Sequence, residues 1–306
     1  MPPASLALRA LVLGSGAGGG VPQWNCGCRV CRLAWEGDAR VRPRTQAGVA
    51  LSVDGLKWVL LSASIDLRQQ ILATSALRPR GAGRGSPIAA VVLTNAEVDS
   101  SAGLLALRER QPFDLFATEA TLEAIGQNRM FDVVDRAVVP RRAVRLGEPF
   151  EPLAGLTLEL FAIPGKVPLW LEEGEVSTGE ISEGTVCVAA EAGGKRLVYA
   201  PACAHVTEDL DTRIASADVV FFDGTLFADD EMIANGLGDK TGARMGHMPV
   251  SGPRGTLEAL QRHAHVRRIL IHINNSNPIL IQGSPEEARV KAAGFEIAFD
   301  GMEVAL

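Results

Sequence analysis

Three cysteines within six residues, Cys26-Gly27-Cys28-Arg29-Val30-Cys31, form the densest cluster of metal-binding side chains in the chain. Thiolates hold Zn²⁺ in a tetrahedron at about 2.3 Å, and cysteines this close on one loop can wrap a single ion. Gly27 lets the backbone turn between the first two ligands. A fourth position is left for a distant residue. Such neighbours cannot staple remote segments, and the total of five cysteines is odd, so a metal clip is read here rather than a disulfide framework. The plainer alternative, three reduced thiols without a metal, would leave a redox liability on the surface. Cys187 and Cys203 lie in apolar strand contexts and read as buried small hydrophobes.

Histidine is scarce, with five in the chain. His263 and His265 precede Val266-Arg267-Arg268 at a helix end and read as solvated, while His205, in a turn after Cys203, fits either reading. His272 closes the apolar run Ile269-Leu270-Ile271, where the C-terminal edge of a sheet presents ligands; otherwise it is a satisfied core histidine. His247 sits in the Gly-flanked turn Met245-Gly246-His247-Met248. The run Val91-Val92-Leu93-Thr94-Asn95-Ala96-Glu97-Val98-Asp99 passes from a buried strand into alternating polar residues. If that stretch is extended, Asn95, Glu97 and Asp99 share one face; otherwise it is a polar turn capping a helix through Asp99 or Ser100. Phe221-Phe222-Asp223 is a third strand ending in a carboxylate.

Short apolar strands alternating with helices must position these groups. Strands are predicted at residues 10–13, 48–53, 56–61, 88–93, 115–117, 157–162, 184–190, 196–199, 219–222, 268–273 and 295–298, bounded by Gly, Pro or Asp. Helices are predicted at 66–77, 101–109, 119–127, 207–216, 253–263 and 284–293, with Asp66 and Ser284 as caps. The alternation without an internal repeat gives an α/β layered chain, read as one domain over 1–306. The Gly/Pro/Arg-rich stretch from Leu77 to Pro87 reads as a solvated surface loop. A net charge of −6 and 5% aromatic residues argue against nucleic acid as a partner. No apolar run approaches a membrane span, and Met1 to Ser5 do not open a leader, so a cytoplasmic protein is expected.

The order of a Gly-rich turn after the first strand, a polar turn after a middle strand and a late Ile-His-Ile-Asn resembles the metallo-β-lactamase superfamily, whose His-x-His-x-Asp-His turn here reads Asn95-x-Glu97-x-Asp99-Ser100. The whole chain is similar to the pyrroloquinoline quinone synthesis protein B family. That resemblance rests on Pro22-Gln23-Trp24-Asn25-Cys26-Gly27-Cys28-x-x-Cys31, Arg44-Thr45-Gln46, Asp66-Leu67-Arg68-Gln69-Gln70-Ile71 and Leu93-Thr94-Asn95-Ala96-Glu97. It continues in Pro164-Gly165-Lys166-Val167-Pro168-Leu169, Asp223-Gly224-Thr225-Leu226, Met245-Gly246-His247-Met248, His272-Ile273-Asn274-Asn275-x-Asn277-Pro278-Ile279-Leu280 and Asp300-Gly301-Met302-Glu303. Two departures stand out. The family has Asp-His where this chain has Asp99-Ser100, and Asn-Ala-Ser-Pro-Asp where it has Ser62-Ala63-Ser64-Ile65-Asp66.

The resemblance implies a four-layer αββα sandwich. It also implies an iron- and O₂-dependent hydroxylase acting on the tyrosine moiety of the Glu–Tyr-derived precursor of pyrroloquinoline quinone (PQQ), a small-molecule substrate. A histidine at 100 together with Asp99 and His272 would form the two-His-one-carboxylate triad that leaves Fe(II) open to substrate and O₂. With Ser100, Asp99 and His272 remain, completed by His247 or water. By likeness to tRNA-processing relatives, Asp223 orients His247 in a supporting or acid–base role. By likeness to sibling phosphodiesterases, whose structural zinc takes a histidine three residues after the active-site histidine, the fourth clip position falls at Asn275; water is the alternative. The competing function is a non-catalytic carrier for PQQ or its precursor, aiding release or transport. A homodimer is compatible with either.

Overall fold

The computed structural model describes residues 7–172 and 178–306; Met1 to Ser5 lie outside these. The first sheet is built from β1 (Arg9–Gly14), β2 (Gly48–Ser52), β3 (Trp58–Leu61), β4 (Ile88–Val92), β5 (Asp114–Ala117), β6 (Arg141–Ala143) and, from the end of the chain, β14 (Glu303–Ala305). Its order is β14-β1-β2-β3-β4-β5-β6. The second sheet holds β7 (Phe150–Leu153), β8 (Leu156–Gly165), β9 (Glu180–Ala192), β10 (Lys195–Ala200), β11 (Val219–Asp223), β12 (Arg267–Ile271) and β13 (Phe295–Ile297), in the order β13-β12-β11-β10-β9-β8-β7. Both sheets are mixed. β3 to β6 run parallel to one another, as do β10 to β13, while the remaining neighbours are antiparallel.

Side-chain alternation along these strands creates the layers. In β1, Ala10 and Val12 join the core between the sheets, whereas Leu11 and Leu13 face outward against a second core. In β11, Val219 and Phe221 face the inter-sheet core, whereas Val220 and Phe222 join a third. Strands covered on both faces take apolar residues along their buried stretch, which is why β3 and β4 are apolar throughout and β11 and β12 carry the runs 219–222 and 269–271. The outer core of the first sheet takes Leu67 and Ile125 from α2 (Leu67–Ala73) and α4 (Glu119–Gly126). That of the second takes Leu210 and Ile214 from α5 (Glu208–Ala215) and Val290 from α8 (Pro285–Ala292). The result is helix, sheet, sheet, helix: an α/β sandwich.

Several expectations are corrected. Of the two readings left open for 95–99, the turn into a helix is the one found, without a side-chain cap: α3 (Val98–Ser101) follows Glu97, so Glu97 and Asp99 point to different partners. The helix predicted over 253–263 shrinks to Thr256–Ala259 and a 3₁₀ turn, and that over 101–109 is a 3₁₀ run from Ala102 to Leu107. Asp66 makes no cap bond to its helix, because its Oδ2 accepts from the Gln46 amide at 3.0 Å. His263 is buried, its Nε2 2.6 Å from Asp211 Oδ1; its position at a helix end concealed that partner 52 residues away. Cys187 and Cys203 are buried.

Candidate active site

The parallel strands of both sheets deliver their C-terminal ends to one edge, the usual place for ligands in α/β proteins. There β4 leads into Asn95 and Asp99, β11 ends on Asp223 and β12 is followed by His272. The Gly-rich turn after β1 packs beneath them. A Cβ on Gly18 would stand 3.2 Å from Asp99 Oδ2, so a side chain here would crowd the carboxylate. Asn95, Asp99 and His272, with His247, line a cavity of about 500 Å³ that also takes in Lys166, Trp170 and Arg244.

Asp223 has no solvent exposure, and its oxygens are fully engaged. Oδ2 accepts from the Cys203 amide at 2.9 Å and from His247 Nδ1 at 2.7 Å. Oδ1 accepts from the Thr225 amide at 3.0 Å and from the Thr225 hydroxyl at 2.6 Å. Its proximity to both histidines, with one atom of each within 4.8 Å, is therefore that of a supporting group with no lone pair turned to the cavity. His247 and His272 stack with ring centroids 5.2 Å apart. His272 adopts a left-handed backbone, φ +59°, which an L-residue keeps only where its surroundings hold it. The flanking amides do so: Ile273 donates to Ser15 O at 2.9 Å and Asn274 to Thr225 O at 3.0 Å.

His272 Nε2 lies 3.2 Å from Asp99 Oδ2. Burial opposes the charge on Asp99, but the His272 hydrogen bond and the charges of His272 and His247 outweigh it and hold the carboxyl below its ordinary pKa. Burial likewise opposes charge on His272, while the hydrogen bond to Asp99 and nearby carboxylates push its pKa up on balance. A carboxylate and an imidazole nitrogen facing each other in a cavity are a donor set that a divalent cation fits, in the place of the shared proton. Ser100 adds no ligand: its hydroxyl turns away into a buried cluster, 3.1 Å from Ser62 Oγ and 3.4 Å from Thr94 Oγ1.

The four residues singled out for this edge, Asp99, Asp223, His247 and His272, thus meet, while Glu97 departs to a neighbouring network. Its Oε1 accepts from Lys166 Nζ and from the Leu169 amide, each at 3.0 Å. Lys166 also reaches Glu172 at 3.0 Å, and the Trp170 indole donates to Ala96 O at 3.0 Å. Asn95 stays local, its Oδ1 accepting from the Glu97 amide. Sequence reading missed Lys166, Trp170 and Thr225 as site residues, although Lys166 and Thr225 stand in the Pro-Gly-Lys and Asp-Gly-Thr motifs.

The cysteine loop sits next door. Cys26, Cys28 and Cys31 place their sulfurs within 4.8 Å of one another at the start of α1 (Arg29–Trp35). Asn275 covers them, with its Nδ2 3.0 Å from Cys26 Sγ and 3.3 Å from Cys31 Sγ, and its carbonyl oxygen 3.4 Å from Cys28 Sγ. Burial pushes the Cys28 thiol up to about 12, and a cation beside it would favour its thiolate. Three sulfurs in one small volume suit Zn²⁺, while Asn275 meets them as a hydrogen-bond donor through Nδ2. His205 and His265 belong to neither centre; His265 Nε2 meets Ala215 O at 3.0 Å.

Comparison with known proteins identifies the lineage. A family model described as a beta-lactamase superfamily domain matches residues 57–273. Coenzyme PQQ synthesis protein B of Methylobacterium nodulans is 54% identical, over 98% of this chain and 100% of its own length. The Rhizobium meliloti protein of the same name is 52% identical, covering 98% of each. The crystal structure of Zn²⁺-bound PqqB from Methylobacterium extorquens superposes with a TM-score of 0.94 at 53% identity, covering 97% of this chain and all of that one. A diphosphatase of the PhnP family, 20% identical with a TM-score of 0.65 over 97% of both chains, shares the fold. The metallo-β-lactamase sandwich, with its ligands at one sheet edge and its cysteine loop beside them, is here that of a member of the coenzyme PQQ synthesis protein B family.

Proposed function

We propose that this chain serves PQQ synthesis as an iron- and O₂-dependent hydroxylase of the tyrosine moiety of the Glu–Tyr-derived precursor. The observation that carries the reading is the pairing of Asp99 and His272 at 3.2 Å inside a cavity of substrate size. These two would hold the metal, with His247 or water completing the set. Bound there, Fe(II) would supply open coordination positions at which substrate and O₂ meet.

The chain's own groups do the rest. Asp223 fixes His247 through Nδ1, leaving Nε2 to move a proton at the substrate. Glu97 and Glu172 hold the Lys166 ammonium at the cavity wall, where it faces the carboxylates of an incoming precursor. Cys26, Cys28 and Cys31, with Asn275, would hold a structural zinc, in line with the Zn²⁺-bound M. extorquens relative. No helix among the described residues is long and apolar enough to cross a membrane, and we read the chain as one cytoplasmic domain, 1–306.

One observation favours a carrier instead: Ser100 spends its hydroxyl on Ser62 and Thr94, so the iron set is one strong ligand short. A single-turnover assay with Fe(II), O₂, reductant and the diamino-acid precursor separates the two. Hydroxylated product formed in proportion to enzyme supports the oxygenase. Stoichiometric binding of precursor with no product at saturating iron transfers the assignment to the carrier.

A further inference from the structure

The side chain at the centre of the site is neither histidine nor carboxylate but Thr225, which is 4% exposed. Its Oγ1 lies 2.6 Å from Asp223 Oδ1, 2.9 Å from His272 Nδ1, 3.1 Å from His247 Nδ1 and 3.0 Å from the His272 carbonyl oxygen. A hydroxyl has one proton to give and two lone pairs with which to accept. The proton goes to Asp223 Oδ1, the nearer acceptor and the charged one, since charge-assisted bonds are the shorter and stronger. Oγ1 is then an acceptor toward both rings. His247 has a better acceptor for its Nδ1 proton in Asp223 Oδ2 at 2.7 Å. Among the described residues His272 has only Oγ1 on that side, so its Nδ1 must carry a proton to make the bond.

We propose that Thr225 is the positioning residue of the site: by accepting from His272 Nδ1–H and donating to Asp223, it fixes the ring tautomers and turns the Nε2 lone pair of His272 into the cavity. The assignment concerns hydrogen bonding within this chain and does not rest on the hydroxylase reading. It explains an otherwise awkward arrangement. His272 Nε2 faces Asp99 Oδ2 at 3.2 Å, and a neutral ring left to itself would put its single proton there, where a carboxylate accepts it. A ring protonated at Nε2 offers no lone pair to a metal or a substrate proton. Thr225 offsets that preference from the far side of the ring.

The two histidines therefore differ in what Thr225 means to them, and that difference is the test. Imidazole ¹⁵N–¹H correlation spectra report which nitrogen carries the proton. They are recorded on the full chain at alkaline pH after dialysis against a chelator, with backbone amide spectra to confirm the fold. The parent should show both histidines protonated at Nδ1. Thr225→Ser, which keeps the hydroxyl, should match it. Thr225→Val, nearly isosteric but without an acceptor, and Thr225→Ala should move the His272 proton to Nε2 while His247, still held by Asp223, stays unchanged. A merely structural role would disturb both rings together or neither. The proposal is overturned by a parent whose His272 already carries its proton on Nε2, or by hydroxyl-free variants whose His272 keeps the proton on Nδ1. A serine variant that behaves like valine, or a shift of His247 in step with His272, overturns it equally.

Discussion

Ser100 and Ser62 are 38 positions apart, both at positions where the resemblance implies a different residue, and their hydroxyls lie 3.1 Å from each other. The sequence showed both departures as separate losses. Their contact couples the two positions, where the resemblance implies a pair of larger polar side chains. Ser62 keeps a left-handed backbone, φ +68°, a conformation that asparagine tolerates better than serine. Tyr199 extends its hydroxyl toward Ser62 without a partner in full hydrogen-bond geometry, and burial pushes its pKa up. Restoring the imidazole alone crowds it against the Ser62 and Thr94 hydroxyls, and overpacking a filled site costs roughly 1–3 kcal/mol. Ser100→His should therefore lower thermal stability. The double change Ser62→Asn/Ser100→His should recover part of that loss, bind Fe(II) more tightly than the parent and hydroxylate faster under matched oxygen and reductant. Calorimetric unfolding and metal titration read these effects separately. If the double variant folds well and still binds iron no better than the parent, position 100 is not a ligand and the carrier reading gains.

Elements were legible in proportion to how local their cause is. The cysteine loop is legible as a candidate metal clip, because its three thiols are neighbours in the chain and such a cluster has few other uses. Central strands such as β4 and β11 were legible because a strand buried on both faces must be apolar throughout. The edge strand Arg141–Ala143 carries two arginines and shows no such run; it exists only because β5 offers an open edge to pair with. Thr225 stayed hidden for a related reason, since a threonine two residues past a strand end has no meaning until four partners surround it. The segment after β12 joins the two centres: His272 serves the cavity, and Asn275, three residues on, covers the cysteine sulfurs. Metal at the clip should consequently hold the whole turn. Protein purified without added metal is expected to carry near-stoichiometric zinc, and Cys26→Ser/Cys28→Ser should lose that zinc together with thermal stability. Removal of one structural zinc ligand set forfeits folding free energy of about 10–16 kcal/mol in small isolated zinc domains. In a chain with three hydrophobic cores of its own, a smaller loss with the fold retained is expected. Full zinc retention in the double variant would end the clip assignment.

At the scale of the whole molecule, stability against pH is set by carboxylates that pull in opposite directions. Asp211, Asp218, Glu287 and Glu296 are held below their ordinary range. For Asp211 and Glu287 burial works against that shift and the bonds to His263, Arg262 and Lys291 prevail; for Asp218 and Glu296 the Lys195 and Arg267 hydrogen bonds lead. A depressed carboxyl stabilises the fold above its unfolded pKa and loses that contribution as pH falls, which gives an ordinary acid limb. Glu231 runs the other way. It is 5% exposed in α6 (Glu231–Ala234), packed under the 274–277 turn, and burial raises its pKa from 4.5 to about 6 despite hydrogen bonds from the Ser276 hydroxyl and the Phe227 amide. Because the folded state binds this proton more tightly than the unfolded chain, its contribution is fully present below 4.5 and is lost as pH rises through 6. A shift of that size corresponds to about 2 kcal/mol forfeited at neutral pH. Glu231→Gln removes the charge and keeps both contacts, since the amide oxygen can accept from Phe227 and the Ser276 hydroxyl can accept from the amide nitrogen. Urea unfolding of parent and variant across the range from pH 4.5 to 8 should show a gap that opens with pH in favour of the variant, reaching about 2 kcal/mol above the folded pKa. A gap that stays constant over that range would mean that Glu231 ionises alike in the folded and unfolded chains, and that its burial is relieved by water reaching it beside Ser276.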